Sequence, residues 1–235
     1  MSKSLFYSLL VLYIISTSSI LCAETYTKID IHKLKEYSRL NDYYIIDTRD
    51  VPIAAKGYIS NSLIIPNSMF KWLSSCVPPS GKIVIISEKN NYEATMKRYM
   101  STNYEIIGYA LYDEVIQYSF FNIEKIEYDP NTYESITNIV KNKGNIIDIR
   151  EIKEYKETGV IKEALLIPMS TFMKNQSYKK IPTTGNVYVY CYGGTRAVVA
   201  MSFIKRAGYT NKFYIMKLGI FNVIQENYPL VPYSS

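Results

Sequence analysis

The segment Ile45-Ile46-Asp47-Thr48-Arg49 returns about a hundred residues later as Ile146-Ile147-Asp148-Ile149-Arg150, a spacing that limits what this chain can fold into. The echo continues in order. Gly57-Tyr58-Ile59 ahead of Leu63-Ile64-Ile65-Pro66 is matched by Gly159-Val160-Ile161 ahead of Leu165-Leu166-Ile167-Pro168, and Val115-Ile116-Gln117 by Val223-Ile224-Gln225. Order-preserving matches over a whole half predict two copies of one domain, because a solenoid repeats with a much shorter unit. A chain of 235 residues has room for two domains of about 110 residues, each able to bury its own core. The expected division is 24–125 and 126–235, with Asn122 to Pro130 as the linker.

Each half reads alike: a helix, an apolar strand ending in Asp-x-Arg, a short helix, a second strand ending at proline, a third apolar strand, a loop and a helix. Strands alternating with helices predict an α/β fold, here two tandem domains, each a parallel sheet flanked by helices on both faces. Asp30 is placed to cap the first helix, and Asp129-Pro130 suits an N-cap followed by proline at the first helical position. Gly208 is placed to end a helix running from Ala197 to Ala207.

The third strands differ at their ends. Val187-Tyr188-Val189-Tyr190 runs into Cys191-Tyr192-Gly193-Gly194-Thr195-Arg196 and then at once into the apolar helix. A loop of small residues around one sulfur, ending at a helix N-terminus, aims backbone N–H groups at that sulfur and favours negative charge there. A free cysteine ionises near pH 8.5, and a helix N-terminus with a nearby cation lowers that value, so sulfur chemistry is expected at Cys191. In the first half, Ile83-Val84-Ile85-Ile86 runs into Ser87-Glu88-Lys89-Asn90-Asn91-Tyr92, with no cysteine, glycine or terminal arginine. Glu88 there opposes an anion. The first half is expected to be a scaffold or recognition surface.

Other chemistries fit less well. Cysteine phosphatases and arsenate reductases place five residues between cysteine and arginine to encircle a tetrahedral oxyanion; here four intervene and Ala197 stands at the arginine position. A cysteine hydrolase needs a histidine to activate the thiol, and the single histidine, His32, lies in the first helix of the first half. One histidine and two mature cysteines without ligand spacing predict no metal site, and no cofactor is expected. The formal charge of +6 is spread out, with Lys97-Arg98, Lys179-Lys180 and Lys205-Arg206 as pairs but no dense basic run, so no nucleic-acid partner is expected.

Residues 1–23 have the layout of an export signal: Lys3, an apolar stretch from Leu5 to Ile20, and Ala23 before Glu24-Thr25. The protein is expected in the periplasm or secreted, without stable membrane insertion after cleavage; an uncleaved anchor is the alternative. Lipidation at Cys22 is disfavoured by the bulk of Leu21. Export permits a disulfide between Cys76 and Cys191, and an unpaired Cys76 is the other reading.

With Asp148-Ile149-Arg150, Gly159-Val160-Ile161-Lys162-Glu163-Ala164 and the CxxGxR loop Cys191 to Arg196 in place, the chain resembles the tandem-domain rhodanese-like sulfurtransferases, in which the N-terminal copy is inactive and the C-terminal copy active. Val160, Glu163 and Val223 depart from the family's histidine, glycine and tryptophan. The resemblance implies that Cys191 takes the outer sulfur of a small anionic donor such as thiosulfate, becomes a persulfide, and hands the sulfur to cyanide, a thiol or a protein acceptor. It further implies that the N–H groups from Tyr192, Gly193, Gly194, Thr195 and Arg196 cradle the sulfur and that the Arg196 guanidinium orients the donor. Asp148 and Arg150 are expected to support sheet and loop. A non-catalytic persulfide carrier, thiol sensor or partner-binding module is the rival reading.

Overall fold

The computed structural model describes residues 26–172 and 174–234. The expected export signal, with Cys22, lies outside the described residues. Among the described residues no helix is long and apolar enough to cross a membrane.

The first half runs α1 (Ile31–Tyr37), β1 (Tyr43–Asp47), α2 (Val51–Ala54), β2 (Tyr58–Ile59), β3 (Leu63–Ile64), a 3-10 stretch (Asn67–Ser75), β4 (Lys82–Ser87), α3 (Tyr92–Met100), β5 (Glu105–Leu111) and α4 (Tyr112–Val115). The second runs β6 (Ile123–Glu124), β7 (Tyr128–Asp129), α5 (Tyr133–Lys141), β8 (Asn145–Asp148), α6 (Ile152–Thr158), β9 (Leu165–Leu166), β10 (Val187–Tyr190), α7 (Thr195–Arg206), β11 (Phe213–Met216) and α8 (Ile220–Gln225). Two parallel sheets flanked by helices result, in the orders β3-β1-β4-β5 and β7-β11-β10-β8-β9. The orders coincide when β1 is set on β8, β3 on β9, β4 on β10 and β5 on β11. Central strands covered on both faces read as unbroken apolar runs, and Ile83, Val84, Ile85 and Ile86 are all fully buried.

The Asp-x-Arg segments close the ends of β1 and β8 in one manner. Arg150 donates from Nε to both Asp148 oxygens at 3.1 and 3.0 Å and from Nη2 to Asp148 at 2.7 Å. Its Nη2 also reaches the Gly159 carbonyl at 2.8 Å, and its Nη1 the Thr158 hydroxyl at 2.5 Å. In the first half Arg49 binds Asp47 at 2.9 and 2.6 Å and the Gly57 carbonyl at 2.7 Å, with its guanidinium over the Tyr112 ring. Burial pushes both aspartates up, against the opposing pull of their arginines. Each fork ties a strand end to the turn that closes the next helix, which fixes where the following loop begins.

Two expectations need correction. The stretch Asn122 to Pro130 is more than a linker: β6 pairs antiparallel with β2, and β7 is the edge strand beside β11. Asp129 does not cap a helix with Pro130 at its first turn. It ends β7 and accepts from the Asn131 N–H at 2.7 Å, while Thr132 caps α5 by accepting from Ser135 N–H at 3.2 Å. Asp30 caps α1 as its spacing suggests, accepting from the His32 and Lys33 N–H groups, and Gly208 follows α7 at φ 96°.

Helix α7 is the joint between the halves. Ala197 through Ile204 are buried without interruption, because one side packs on β10 and β11 and the other on β3. Ser202 Oγ accepts from the Ile64 N–H at 3.0 Å, which satisfies a donor on the outer edge of the first sheet. At the end of α7, Lys205 bonds Glu124 and reaches the Tyr58 hydroxyl at 3.0 Å, while Arg206 donates to the Tyr43 carbonyl at 2.8 Å and lies over the Tyr44 ring. One apolar core results, with Ile65, Leu73 and Met96 of the first half in the same cluster as Phe172, Met201 and Ile204 of the second.

Replacing Asp148 by alanine strands a fully buried guanidinium, a change that costs about 3–5 kcal/mol. Denaturant unfolding of Asp148→Ala should reveal a loss of that size. Lys153→Ala, which breaks the exposed Lys153–Glu157 pair, should stay within about 0.5 kcal/mol of the parent.

Candidate active site

The carboxyl end of β10 places Cys191 where parallel α/β sheets present their clefts. Register carries Asp148 opposite Tyr190, so the Asp148–Arg150 fork sits one residue from the cysteine. The chain then turns through Gly194, at φ 101° and ψ −35°, into α7. That left-handed conformation requires glycine there. Gly193 has no such φ, and a side-chain carbon added to it would meet nothing within 4 Å. The loop is therefore bare toward solvent at Gly193 and constrained at Gly194.

Of the five loop N–H groups expected around the sulfur, that of Gly194 lies in hydrogen-bond range of Sγ among the described residues, at 3.1 Å. Cys191 is 1% exposed, so its thiol lies at the floor of the loop. Tyr192 points outward at 45% exposure, with its ring edge-on to Phe221 at 4.4 Å. Thr195 opens α7 and is partly exposed.

Arg196 is not an open receptor. Its guanidinium forks onto Glu154 of α6, Nη1 to Oε2 at 2.7 Å and Nη2 to Oε1 at 2.5 Å. Burial alone would lower the Arg196 guanidinium, and Glu154 with the Cys191 sulfur outweighs it, holding the arginine above its ordinary value. Burial likewise pushes the Glu154 carboxyl up, but Arg196 and the Glu151 N–H more than compensate, leaving it below the usual glutamate range. Glu154 also accepts from the Glu151 N–H at 2.8 Å in a capping box, and Glu151 accepts from the Ser170 N–H and hydroxyl at 3.1 and 2.7 Å. The active-loop arginine is thus wired through α6 to the segment after β9.

A second set of supports comes from the turn before α8. The Cys191 carbonyl accepts from the Ile220 N–H at 2.9 Å, and Gly219, at φ 55°, lets the two backbones touch; a side chain there would collide with the Cys191 and Tyr192 carbonyls. Asn131, fully buried at φ 59°, donates to the Lys217 and Gly219 carbonyls at 2.9 and 2.7 Å and so holds that turn. Leu218-Gly219 stands in the sequence as a remnant of the family's closing glycine pattern, while Glu154 and Asn131 are supports that motif reading passed over. The E at the third helical position after Glu151 is a capping-box signal, and Asn131 tolerates the left-handed region, but nothing in the sequence aims either at Cys191.

Cys76 stands apart. It is fully buried and free, as is Cys191, and burial pushes its thiol up to about 12. In the first half the matching loop runs from Ser87 to the start of α3 at Tyr92, with no side-chain cap from Asn91.

A family model described as rhodanese-like domain matches residues 132–226, the stretch that holds Cys191 and its loop. The tRNA uridine(34) hydroxylase of Buchnera aphidicola subsp. Baizongia pistaciae is 30% identical over 118 residues, covering 46% of this chain and 37% of that protein. The chain thus spans well under half the length of that curated relative. Among solved structures, reduced CoADR-RHD of Bacillus anthracis is 28% identical with a TM-score of 0.36, covering 43% of this chain and 17% of that one. Thiosulfate sulfurtransferase from Pseudomonas aeruginosa is 16% identical with a TM-score of 0.38, covering 89% of this chain and 44% of that one.

The loop geometry separates its two glycines. Gly193→Ala should leave stability within about 0.5 kcal/mol of the parent, whereas Gly194→Ala forces a left-handed alanine and should cost about 1–2 kcal/mol. Thermal melts of the two variants measure the difference.

Proposed function

We propose that this chain is a sulfurtransferase in which Cys191 carries a sulfane sulfur as a persulfide. The observation that carries the reading is Cys191 at the mouth of β10, its Sγ held by the Gly194 N–H, in a loop closed by the Arg196–Glu154 fork. In the first step the Cys191 sulfur attacks the outer sulfur of thiosulfate; the S–S bond breaks and sulfite leaves with its electron pair. In the second, cyanide or a thiolate attacks the outer sulfur of the persulfide, that S–S bond breaks, and the Cys191 sulfur is regenerated. No external oxidant or reductant enters. Arg196 acts as a positioning residue: paired with Glu154, it keeps positive charge beside the sulfur and holds the loop's end in place.

The first half is read as a copy of the same domain that lacks the cysteine loop. The shared strand order and the twin Asp47–Arg49 and Asp148–Arg150 forks support this. Its role is to bury α7 and wall the cleft. The activity in the name of the Buchnera relative, hydroxylation of a tRNA, belongs to a protein of which this chain spans 37%, and the lysines here form no dense basic run, so a small acceptor is the better reading. Operation as an exported protein is part of the same proposal, on the layout of residues 1–23.

Reduced protein supplied with thiosulfate and cyanide should form thiocyanate, and Cys191→Ser should abolish it. Intact mass after thiosulfate treatment should rise by one sulfur atom in the parent, reversibly with dithiothreitol, and not in the variant. A parent rate no better than that of Cys191→Ser across several donors assigns the chain to carriage or binding instead. Arg196→Lys, which cannot make the fork to Glu154, should cut turnover about 100-fold through misplacement of the loop.

A further inference from the structure

Beside the cysteine loop residues of the two halves line a half-open cleft of about 580 Å³. Val51, Pro52 and Ala55 form its first-half wall, and Val198 and Leu218 face them from the second, with the bare backbone of Gly193 along one side. The size falls in the range of organic-ligand pockets and exceeds what a small inorganic anion occupies. Apolar walls also offer such an anion nothing in exchange for its water. Lys217 is the one charged residue lining the cleft; it is exposed, and among the described residues it has no ion-pair partner. Arg196, the cation nearest in sequence to the cysteine, is already taken by Glu154. An incoming negative charge therefore meets Lys217.

We propose that this cleft takes the organic sulfur substrate, a thiol or persulfide with an apolar body several carbons long and a terminal carboxylate. The body lies on Val51, Pro52 and Ala55, the carboxylate faces Lys217, and the sulfur end reaches the loop. The sulfur end of the assignment rests on the sulfurtransferase reading; the cleft and its preference do not. As acceptor, the substrate thiolate attacks the outer sulfur of the Cys191 persulfide, the S–S bond breaks, and the product leaves as a persulfide while the Cys191 sulfur is regenerated. The first half thus selects the substrate without taking part in the chemistry.

Binding is separable from turnover by titrating the full chain carrying Cys191→Ser with octanoate and with acetate in a calorimeter. Octanoate should bind at least tenfold tighter than acetate. Added to that background, Ala55→Phe, which fills the cleft, and Lys217→Gln should each weaken octanoate at least fivefold. Octanamide should bind at least fivefold more weakly than octanoate. In the parent, 8-mercaptooctanoate should show a KM at least tenfold below that of mercaptoacetate. Equal affinity for octanoate and acetate, which needs no cleft variant to measure, overturns the proposal, as does octanamide binding as tightly as octanoate. A protein that makes thiocyanate but ignores chain length refutes the cleft and leaves sulfur transfer standing. One that prefers octanoate yet moves no sulfur refutes the transfer and keeps the cleft.

Discussion

The burial of helix α7 on two sides is the constraint on which the structure turns. A helix apolar all round needs two surfaces to cover it, and a single α/β layer supplies one. The first half supplies the other through β3. Because the same helix begins at the cysteine loop, whatever fixes α7 fixes the loop. The N-terminus of α7 cannot shift without disturbing the Ser202 contact to Ile64 and the Lys205 and Arg206 bonds at its far end. The geometry around Cys191 is thus set partly by residues more than a hundred positions earlier in the chain.

Much of this was legible beforehand, for physical reasons that differ by element. The α/β architecture shows in unbroken apolar runs such as Ile83 to Ile86, since strands covered on both faces have no polar alternation to hide. The caps at Asp30 and Gly208 follow from local backbone chemistry, which the sequence carries directly. The short strands β6 and β7 escaped notice because two-residue strands have no periodicity, and their pairing with β2 and β11 is decided by partners far away. In the sequence Lys205-Arg206 is one basic pair among several; in the fold their long side chains cross to the first half.

The site divides in the same way. The position of Cys191 between strand and helix follows from the order of residue types around it. The engagement of Arg196 does not, because Glu154 lies 42 residues away on another helix and its spacing announces only a capping box. Among the described residues the sulfur's surroundings are more economical than a ring of five donors: one N–H at bonding distance, a guanidinium tied down beside it, and a carbonyl anchored to α8. The Glu154 link joins the cysteine loop to α6 and thence to the turn gripped by Arg150, so two separate ion pairs brace the second half around one sulfur.

The hydroxyl of Ser202 has a consequence for self-association. Sheet borders with open amides invite neighbouring molecules to extend the sheet, and β3 forms one such border. By accepting the Ile64 amide, a side chain on a helix takes the place a foreign strand would occupy. The price of this arrangement is dependence: a fragment holding the first half alone would bare that border together with the apolar face that α7 normally covers, and would be prone to stack into larger assemblies.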